Sequence, residues 1–144
     1  MALTARTATF LADKSALTRS DTRREVREMI EPLLLAGRIA TCGIVELELL
    51  YSAPSPATYR ELADVLPAMP RVPVTIAAVD RALEVQSLLA DQSQHRSVPL
   101  PDLLVAACAE CAGLIVLHYD VDYERIAKLT GQPVQWVVPR GSVA

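Results

Sequence analysis

The sequence contains few cysteines and glycines and no long apolar run, and each shortage excludes a class of protein. Three cysteines among 144 residues are too few, and odd in number, for a disulfide framework. With only five glycines the chain has no glycine-rich phosphate loop, which excludes P-loop and dinucleotide-binding proteins. No apolar run reaches the ~18 residues that a membrane span needs, and no signal peptide is recognisable. We therefore expect a cytoplasmic protein with no membrane partner.

Positive charge is also scarce, since the formal net charge is −3. The chain therefore lacks the overall basic surface that marks many nucleic-acid-binding proteins. Only Lys14 and Lys128 are lysines among the 14 basic residues, so 12 are arginines. Several arginines crowd the first third of the chain, between Arg19 and Arg38. Their planar guanidinium groups suit phosphate, although the same residues are equally typical of a solvated helix face.

The apolar pattern predicts short strands that alternate with helices. Apolar residues make up 51% of the chain and charged residues 22%, which indicates one globular domain over residues 1–144. We predict strands at 9–12, 38–42, 114–117 and 134–138, and helices at 21–35, 44–51, 57–66, 75–90, 101–112 and 122–129. Strands that alternate with helices form right-handed βαβ units. The sequence therefore predicts an α/β fold with a parallel sheet covered by helices on both sides.

Local signals mark the ends of several of these helices. Ser20 is the expected N-cap of the first helix, and Gly37 is its expected stop. Gly113 and Gly131 are expected to end the two helices nearest the C-terminus. In the longest predicted helix, an apolar stripe that begins at Ile76 recurs at helical spacing along one face.

Five acidic residues fall where the predicted strands end or where the helices next to them begin. Asp13 follows the first strand, Asp120 and Asp122 follow the 114–117 strand, Asp102 lies in a first helical turn, and Glu46 lies one turn into the helix after the second strand. In parallel sheets, ligands bind beyond the carboxyl ends of the strands. Clustered carboxylates repel one another unless a cation lies among them. Oxygen ligands favour Mg²⁺ or Mn²⁺, so we predict a divalent-metal site at this edge.

Each acid also has a plainer explanation, because caps and turns attract aspartate. Asp102 at a helix start interacts favourably with the helix dipole. Glu46 and Glu48 are both consistent with a solvated helix face. We prefer Glu46 because apolar neighbours flank it on both sides, which places it at the edge of the core.

Cysteine and histidine supply little further chemistry. Cys108 and Cys111 have metal-like spacing, but the chain has no second pair, so a zinc site is not expected and both thiols are predicted to lie in the core. His118 adjoins the acidic pair and is placed to bond a carboxylate or a phosphate. His95, in a polar stretch, is expected to be solvated. No serine-hydrolase arrangement is present.

Taken together, four segments of the chain are similar to the acidic motifs of PIN-domain ribonucleases, in the same order. The segments are 11–17 (LADKSAL), 44–50 (IVELELL), 101–107 (PDLLVAA) and 117–127 (LHYDVDYERIA). The chain most resembles the VapC toxins of bacterial toxin–antitoxin pairs, and the resemblance covers nearly all of it.

This resemblance implies a three-layer α/β/α sandwich and a homodimer. It further implies cleavage of RNA, often tRNA, in the presence of Mg²⁺ or Mn²⁺, with inhibition of translation, and a cognate antitoxin whose C-terminal segment blocks the acidic groove. Matched position by position, it implies that the metal-binding and catalytic acids are Asp13, Glu46, Asp102, Asp120 and Asp122. Ser15 matches a small hydroxyl residue found beside the first aspartate.

The chain also departs from the family pattern. Lys14 stands where Thr or Ser is common, and Tyr123 stands where Phe is usual. The stretch before Thr9 is longer than the usual start, and the tail after Val138 resembles a protease-site scar, although it also continues the last strand. Two other functions stay open on the sequence: a receiver-like signalling domain, which would need a lysine late in the sheet, and a PIN-like RNA-binding protein without catalysis.

Overall fold

The computed structural model describes residues 8–144, so the stretch before Ala8 lies outside the described residues. The described chain forms five short strands and seven α-helices. The strands are β1 (Phe10–Ala12), β2 (Ile39–Cys42), β3 (Arg71–Val72), β4 (Ile115–His118) and β5 (Val134–Trp136). The helices are α1 (Lys14–Ser20), α2 (Arg24–Leu35), α3 (Gly43–Tyr51), α4 (Pro56–Val65), α5 (Ile76–Asp91), α6 (Leu100–Ala112) and α7 (Val121–Thr130), and a 3₁₀ turn spans Leu66–Ala68. None of these helices is both long and apolar enough to cross a membrane.

The strands form a parallel sheet in the order β3-β2-β1-β4-β5. β1 lies at the centre, with Leu11 in register with Ala40 on one side and with Val116 on the other. Because all strands run the same way, their carboxyl ends meet at one edge. The ends of β1 and β4, the two central neighbours, therefore lie side by side.

The core is split between the two faces of this sheet. Successive side chains of a strand point to opposite faces, and in β1 they enter different apolar clusters: Leu11 joins one, and Phe10 and Ala12 join the other. The Leu11 cluster takes its helical residues mainly from α3, α5, α6 and α7. The Phe10 cluster takes them from α1 and α2. The predicted three-layer α/β/α arrangement is therefore confirmed.

The predicted helix at 21–35 is wrong in its start. Ser20 is the last residue of α1 rather than an N-cap, and α2 begins at Arg24 after a short turn. Helix α1 was missed because it has no stripe of large apolar residues; its buried residues are the small Ser15 and Ala16. Gly37, with φ 69°, follows α2 in the left-handed conformation that glycine adopts without steric cost, as expected of a stop.

Helix α5 places its predicted apolar stripe in solvent. Ile76 and Leu83 are 83% and 59% exposed. The buried face is formed instead by Ala78, Ala82, Val85 and Leu89. Alanines allow α5 to approach α6 closely, so the helix carries two apolar faces, of which residues 8–144 cover only one.

Candidate active site

Two aspartates begin helices directly after the two central strands. Asp13 follows β1 and caps α1, with its Oδ2 accepting the N–H of Ser15 at 3.0 Å. Asp120 follows β4 and caps α7, with its Oδ1 accepting the N–H of Asp122 at 2.9 Å. The N–H of Asp13 donates to the carbonyl of Leu117 at 2.9 Å, which joins the two strand ends. The parallel topology therefore places both caps at the same edge of the sheet.

Three acids from two segments of the chain, the starts of α6 and α7, meet at this edge. Asp102, Asp120 and Asp122 each present a carboxylate oxygen, and these oxygens lie within 4.8 Å of one another. Asp102 lies in the first turn of α6 and is 5% exposed. Its buried Oδ2 has no hydrogen-bond partner among the described residues. Since a buried polar atom without a partner is costly, this oxygen points to a missing ligand.

The electrostatics of Asp102 lead to the same inference. Burial, followed by the charges of Asp13, Asp120, Asp122 and Glu48, raises the pKa of this carboxyl to about 8. Burial and the charge of Asp120 also raise the pKa of Asp122. Carboxylates this close favour a proton or a cation among them. The group therefore has the charge and the oxygen ligands that suit a hard divalent ion.

Asp13 borders this group and is firmly oriented. It is 1% exposed. Its Oδ1 accepts the hydroxyl of Tyr123 at 2.7 Å, while its Oδ2 is held by the N–H of Ser15. The charge of Asp13 raises the pKa of Asp102, so the two carboxylates interact electrostatically.

The two glutamates of α3 have different surroundings. Arg71 binds Glu46 through two nitrogens, Nε to Oε2 at 2.6 Å and Nη2 to Oε1 at 2.9 Å. Glu48 instead pairs through Oε2 with Lys14 Nζ at 3.0 Å, and its buried Oε1 has no partner among the described residues. Glu48 is also the glutamate whose charge raises the pKa of Asp102. The structure therefore places Glu48 beside the aspartates and Glu46 in a salt bridge with β3.

The prediction of Glu46 rested on its flanking apolar residues. That signal did find a buried side chain, since Glu46 is 6% exposed. It could not show that Arg71, 25 positions away, neutralises that carboxylate. To choose Glu48 from the sequence, one would have to know how α3 is oriented relative to the sheet edge. Only the fold supplies that orientation.

Basic side chains offset part of the negative charge. Lys14 contacts Glu48 as described, and the negative charges around it raise its pKa, the hydrogen bond to Glu48 most strongly. Arg125 pairs with Asp122 at 3.2 Å. The lysine that departs from the family pattern thus binds a member of the acidic group, rather than Asp13 directly.

His118 supports the site through the backbone. It is fully buried, and its Nδ1 accepts the N–H of Asp120 at 3.1 Å. Burial lowers its pKa to about 4, so the ring is neutral at pH 7. The expected bond to a carboxylate or phosphate is replaced by this bond to a backbone amide.

The remaining histidine, His95, and the two cysteines of α6 differ in their exposure. His95 is exposed, as expected. Cys108 is buried, whereas Cys111 is exposed, so the prediction that both thiols lie in the core is wrong for Cys111. It lies in the last turn of α6.

Comparison with known proteins identifies the family. Residues 11–129 match the PIN domain. Ribonuclease VapC18 of Mycobacterium tuberculosis is 45% identical over 136 residues, covering 93% of this chain and 98% of that protein. Ribonuclease VapC21 of the same organism is 45% identical over 140 residues, covering 94% and 99%. The chain therefore belongs to the PIN-domain family and, within it, to the VapC group. The receiver-like alternative is thereby excluded.

Solved structures share the fold. A DNA-bound VapBC from Salmonella typhimurium matches with a TM-score of 0.73 and 22% identity, covering 91% of this chain and 99% of that chain. FitAcB from Neisseria gonorrhoeae matches with a TM-score of 0.72 and 15% identity, covering 90% and 98%. At these identities the likeness concerns the fold, which agrees with the three layers described above.

Proposed function

We propose that this protein is a divalent-metal-dependent endoribonuclease and the toxin of a toxin–antitoxin pair. Its VapC relatives are named ribonucleases. The observation that carries the metal requirement is the meeting of three carboxylates within 4.8 Å, one of them with a buried oxygen that lacks a partner. Repulsion within this group is relieved by a bound cation.

In this proposal Asp102, Asp120 and Asp122 hold the cation, Asp13 joins them as a further carboxylate ligand, and Glu48 completes the acidic surroundings. A bound Mg²⁺ or Mn²⁺ would polarise the scissile phosphate and lower the pKa of the attacking water. The protein's own residues orient these groups: the caps of α1 and α7 fix Asp13 and Asp120. A carboxylate of the group accepts the proton of the attacking water.

We further propose a structured RNA, with tRNA as the first choice, as the substrate. Cleavage of tRNA would inhibit translation and would place the protein in the cytoplasm. A net charge of −3 and an acidic edge disfavour non-specific duplex binding, so an accessible single-stranded loop suits the site better. The side chain of Arg24 is 83% exposed and pairs only with Glu28 on its own helix among the contacts of the described chain, so it is available to contact the RNA backbone.

Two proposed partners, an antitoxin and a second copy of this chain, rest on the structural neighbours and on the exposed face of α5. The structural neighbours include a VapBC complex and a toxin–antitoxin complex, and we propose a cognate antitoxin whose C-terminal segment blocks the acidic groove. The exposed face of α5 supports a homodimer. Leu83 and Leu100 border one apolar depression on α5 and α6, and a second copy would cover it.

One experiment tests the activity. Purified protein is incubated with total RNA plus Mg²⁺ or EDTA, and the cleaved ends are mapped. We expect defined ends in one tRNA class with Mg²⁺ and intact RNA with EDTA. Bound but uncleaved RNA would instead support the non-catalytic PIN-like alternative, and cleavage spread evenly over unrelated RNAs would contradict the proposed selectivity.

A second experiment tests the homodimer by sedimentation. We expect the wild type to sediment as a dimer and Leu83→Glu as a monomer, because the substitution places a charge in the apolar face. Asp91→Asn, at the exposed end of the same helix, is the matched control and should remain dimeric. A monomeric wild type at micromolar concentration would contradict the proposed dimer.

A further inference from the structure

Tyr123 connects helix α7 to the first acidic residue of the chain. Its side chain is fully buried, yet its hydroxyl donates to Asp13 Oδ1 at 2.7 Å across 110 positions of sequence. The other oxygen of Asp13 accepts the N–H of Ser15 at 3.0 Å. Each oxygen of this carboxylate therefore has one fixed donor.

In this hydrogen bond the phenol hydroxyl is the donor and the carboxylate oxygen of Asp13 accepts.

The ring and the hydroxyl have separable roles. The ring packs in the apolar core and lies 5.1 Å from the ring of His118, measured between centroids. Phenylalanine, the usual residue here in the family that the sequence resembles, would supply the same packing without the hydroxyl. What tyrosine adds is a hydrogen bond to an acid at the edge of the candidate metal site.

We propose that Tyr123 is a positioning residue, whose hydroxyl orients Asp13 toward the cation site before the ion binds. This inference rests on the proposed metal-dependent function. A single bond from Ser15 would leave the carboxylate free to rotate about it, and the second donor removes that freedom. Donors that orient metal-binding carboxylates typically change metal affinity by 10- to 100-fold when removed.

The test is Mn²⁺ binding to full-length Tyr123→Phe, measured by titration calorimetry and compared with RNA cleavage across Mn²⁺ concentrations. We expect the dissociation constant for Mn²⁺ to rise about tenfold. At saturating Mn²⁺ the cleavage rate should return to within about threefold of wild type, because the substitution leaves the acids themselves in place.

Tyr119→Phe is the matched control. Tyr119 lies at the same sheet edge, but its hydroxyl donates to the carbonyl of Val143 at 2.8 Å and accepts the N–H of Gly141 at 2.9 Å. Losing those bonds to the C-terminal tail should leave the Mn²⁺ dissociation constant within twofold of wild type.

The outcomes separate this inference from the proposed function. If wild type binds Mn²⁺ and Tyr123→Phe binds it equally well, or if Tyr119→Phe weakens binding as much, the positioning role is overturned and the metal site stands. If wild type does not bind Mn²⁺, both are overturned. A crystal structure of the Mn²⁺-loaded wild type gives a measurement that needs no variant: a Tyr123 hydroxyl turned away from Asp13 would also overturn the proposal.

Discussion

Helix α3 carries two glutamates, two positions apart, that belong to different regions of the molecule. Glu46 faces β3, where Arg71 binds both of its oxygens. Glu48 faces the sheet edge, where its charge acts on Asp102 among other acids. Both side chains are largely buried, at 8% and 15% exposed. Burial alone therefore does not distinguish a carboxylate whose two oxygens are paired from one that keeps an unpaired oxygen at the acidic edge.

The difference lies in how completely each region is neutralised. Arg71 gives Glu46 a bidentate partner with no oxygen left over. At the sheet edge Lys14 and Arg125 pair with Glu48 and Asp122, while a buried oxygen of Glu48 and one of Asp102 remain without partners. A protein keeps such uncompensated charge where a ligand completes it. In the proposed function a cation completes the acidic edge, whereas the β3 region is already neutralised by Arg71.

The largest expected effect follows from Asp102→Asn. We expect RNA cleavage to fall by about two orders of magnitude or more, because a ligand charge is lost from the cation site. The metal-free variant should be at least as stable as wild type, because repulsion is relieved. A helix-dipole role predicts the reverse, a loss of a few tenths to ~1 kcal/mol with activity intact. Urea unfolding and a cleavage assay distinguish the two, with exposed Asp91→Asn as the control that changes neither.

The second-largest expected effect is the difference in RNA cleavage between variants of the two glutamates. Glu48→Gln should reduce cleavage by about 10- to 100-fold, since it removes charge beside the cation. Glu46→Gln should reduce it by less than about threefold, since that carboxylate is occupied by Arg71. The same cleavage assay at fixed Mg²⁺ measures both. The reverse order of effects would restore Glu46, the residue that the sequence favoured, as the functional glutamate.

A pH titration of stability sharpens the comparison further. The pKa of Asp102 is about 8 in the folded protein, above its ordinary value near 3.9 when unfolded. The protonated carboxyl therefore stabilises the fold fully below pH ~4, and this contribution is lost as pH rises toward 8. The pKa of Asp122 is also raised in the folded protein, so its contribution to stability is lost in the same direction.

We accordingly expect the melting temperature in EDTA to fall by several degrees between pH 5 and pH 8. Asp102→Asn should flatten that fall, because the titrating group is gone. Glu46→Gln, in the neutralised region, should keep the wild-type slope. A slope in Asp102→Asn that matches wild type would show that other groups cause the pH dependence.

The smallest effect is expected in the neutralised region. Arg71→Ala leaves Glu46 buried without its partner, which should lower the free energy of unfolding only modestly, because the arginine is 65% exposed and the pair is partly screened. Cleavage should change little. Urea unfolding checks the stability, and a loss of cleavage as large as that in Glu48→Gln would contradict the division into two regions.

The sequence predicted those parts of the fold that short-range patterns determine. The apolar runs predicted β1, β2, β4 and β5, and glycines predicted the helix ends at Gly113 and Gly131, both of which have positive φ. The two-residue strand β3 was missed because Arg71–Val72 has no apolar run. Helix α1 was missed because its buried residues are small.

The candidate site was predictable where chain order and strand ends define it. Asp13 and Asp120 follow their strands directly, and Asp102 lies at a helix start, so sheet topology alone brings them to one edge. The choice between Glu46 and Glu48 depended on Arg71, a contact between distant segments. Tyr123 was visible only as a departure from a family pattern; its bond to Asp13 required the fold.

The most direct test of the central claim is a thermal melt of wild type with and without millimolar Mn²⁺ at pH 7. A cation that binds only the folded state stabilises it by mass action. We expect Mn²⁺ to raise the melting temperature of wild type and of Asp91→Asn, and to leave that of Asp102→Asn nearly unchanged. A wild-type melting temperature indifferent to Mn²⁺ would contradict the metal site.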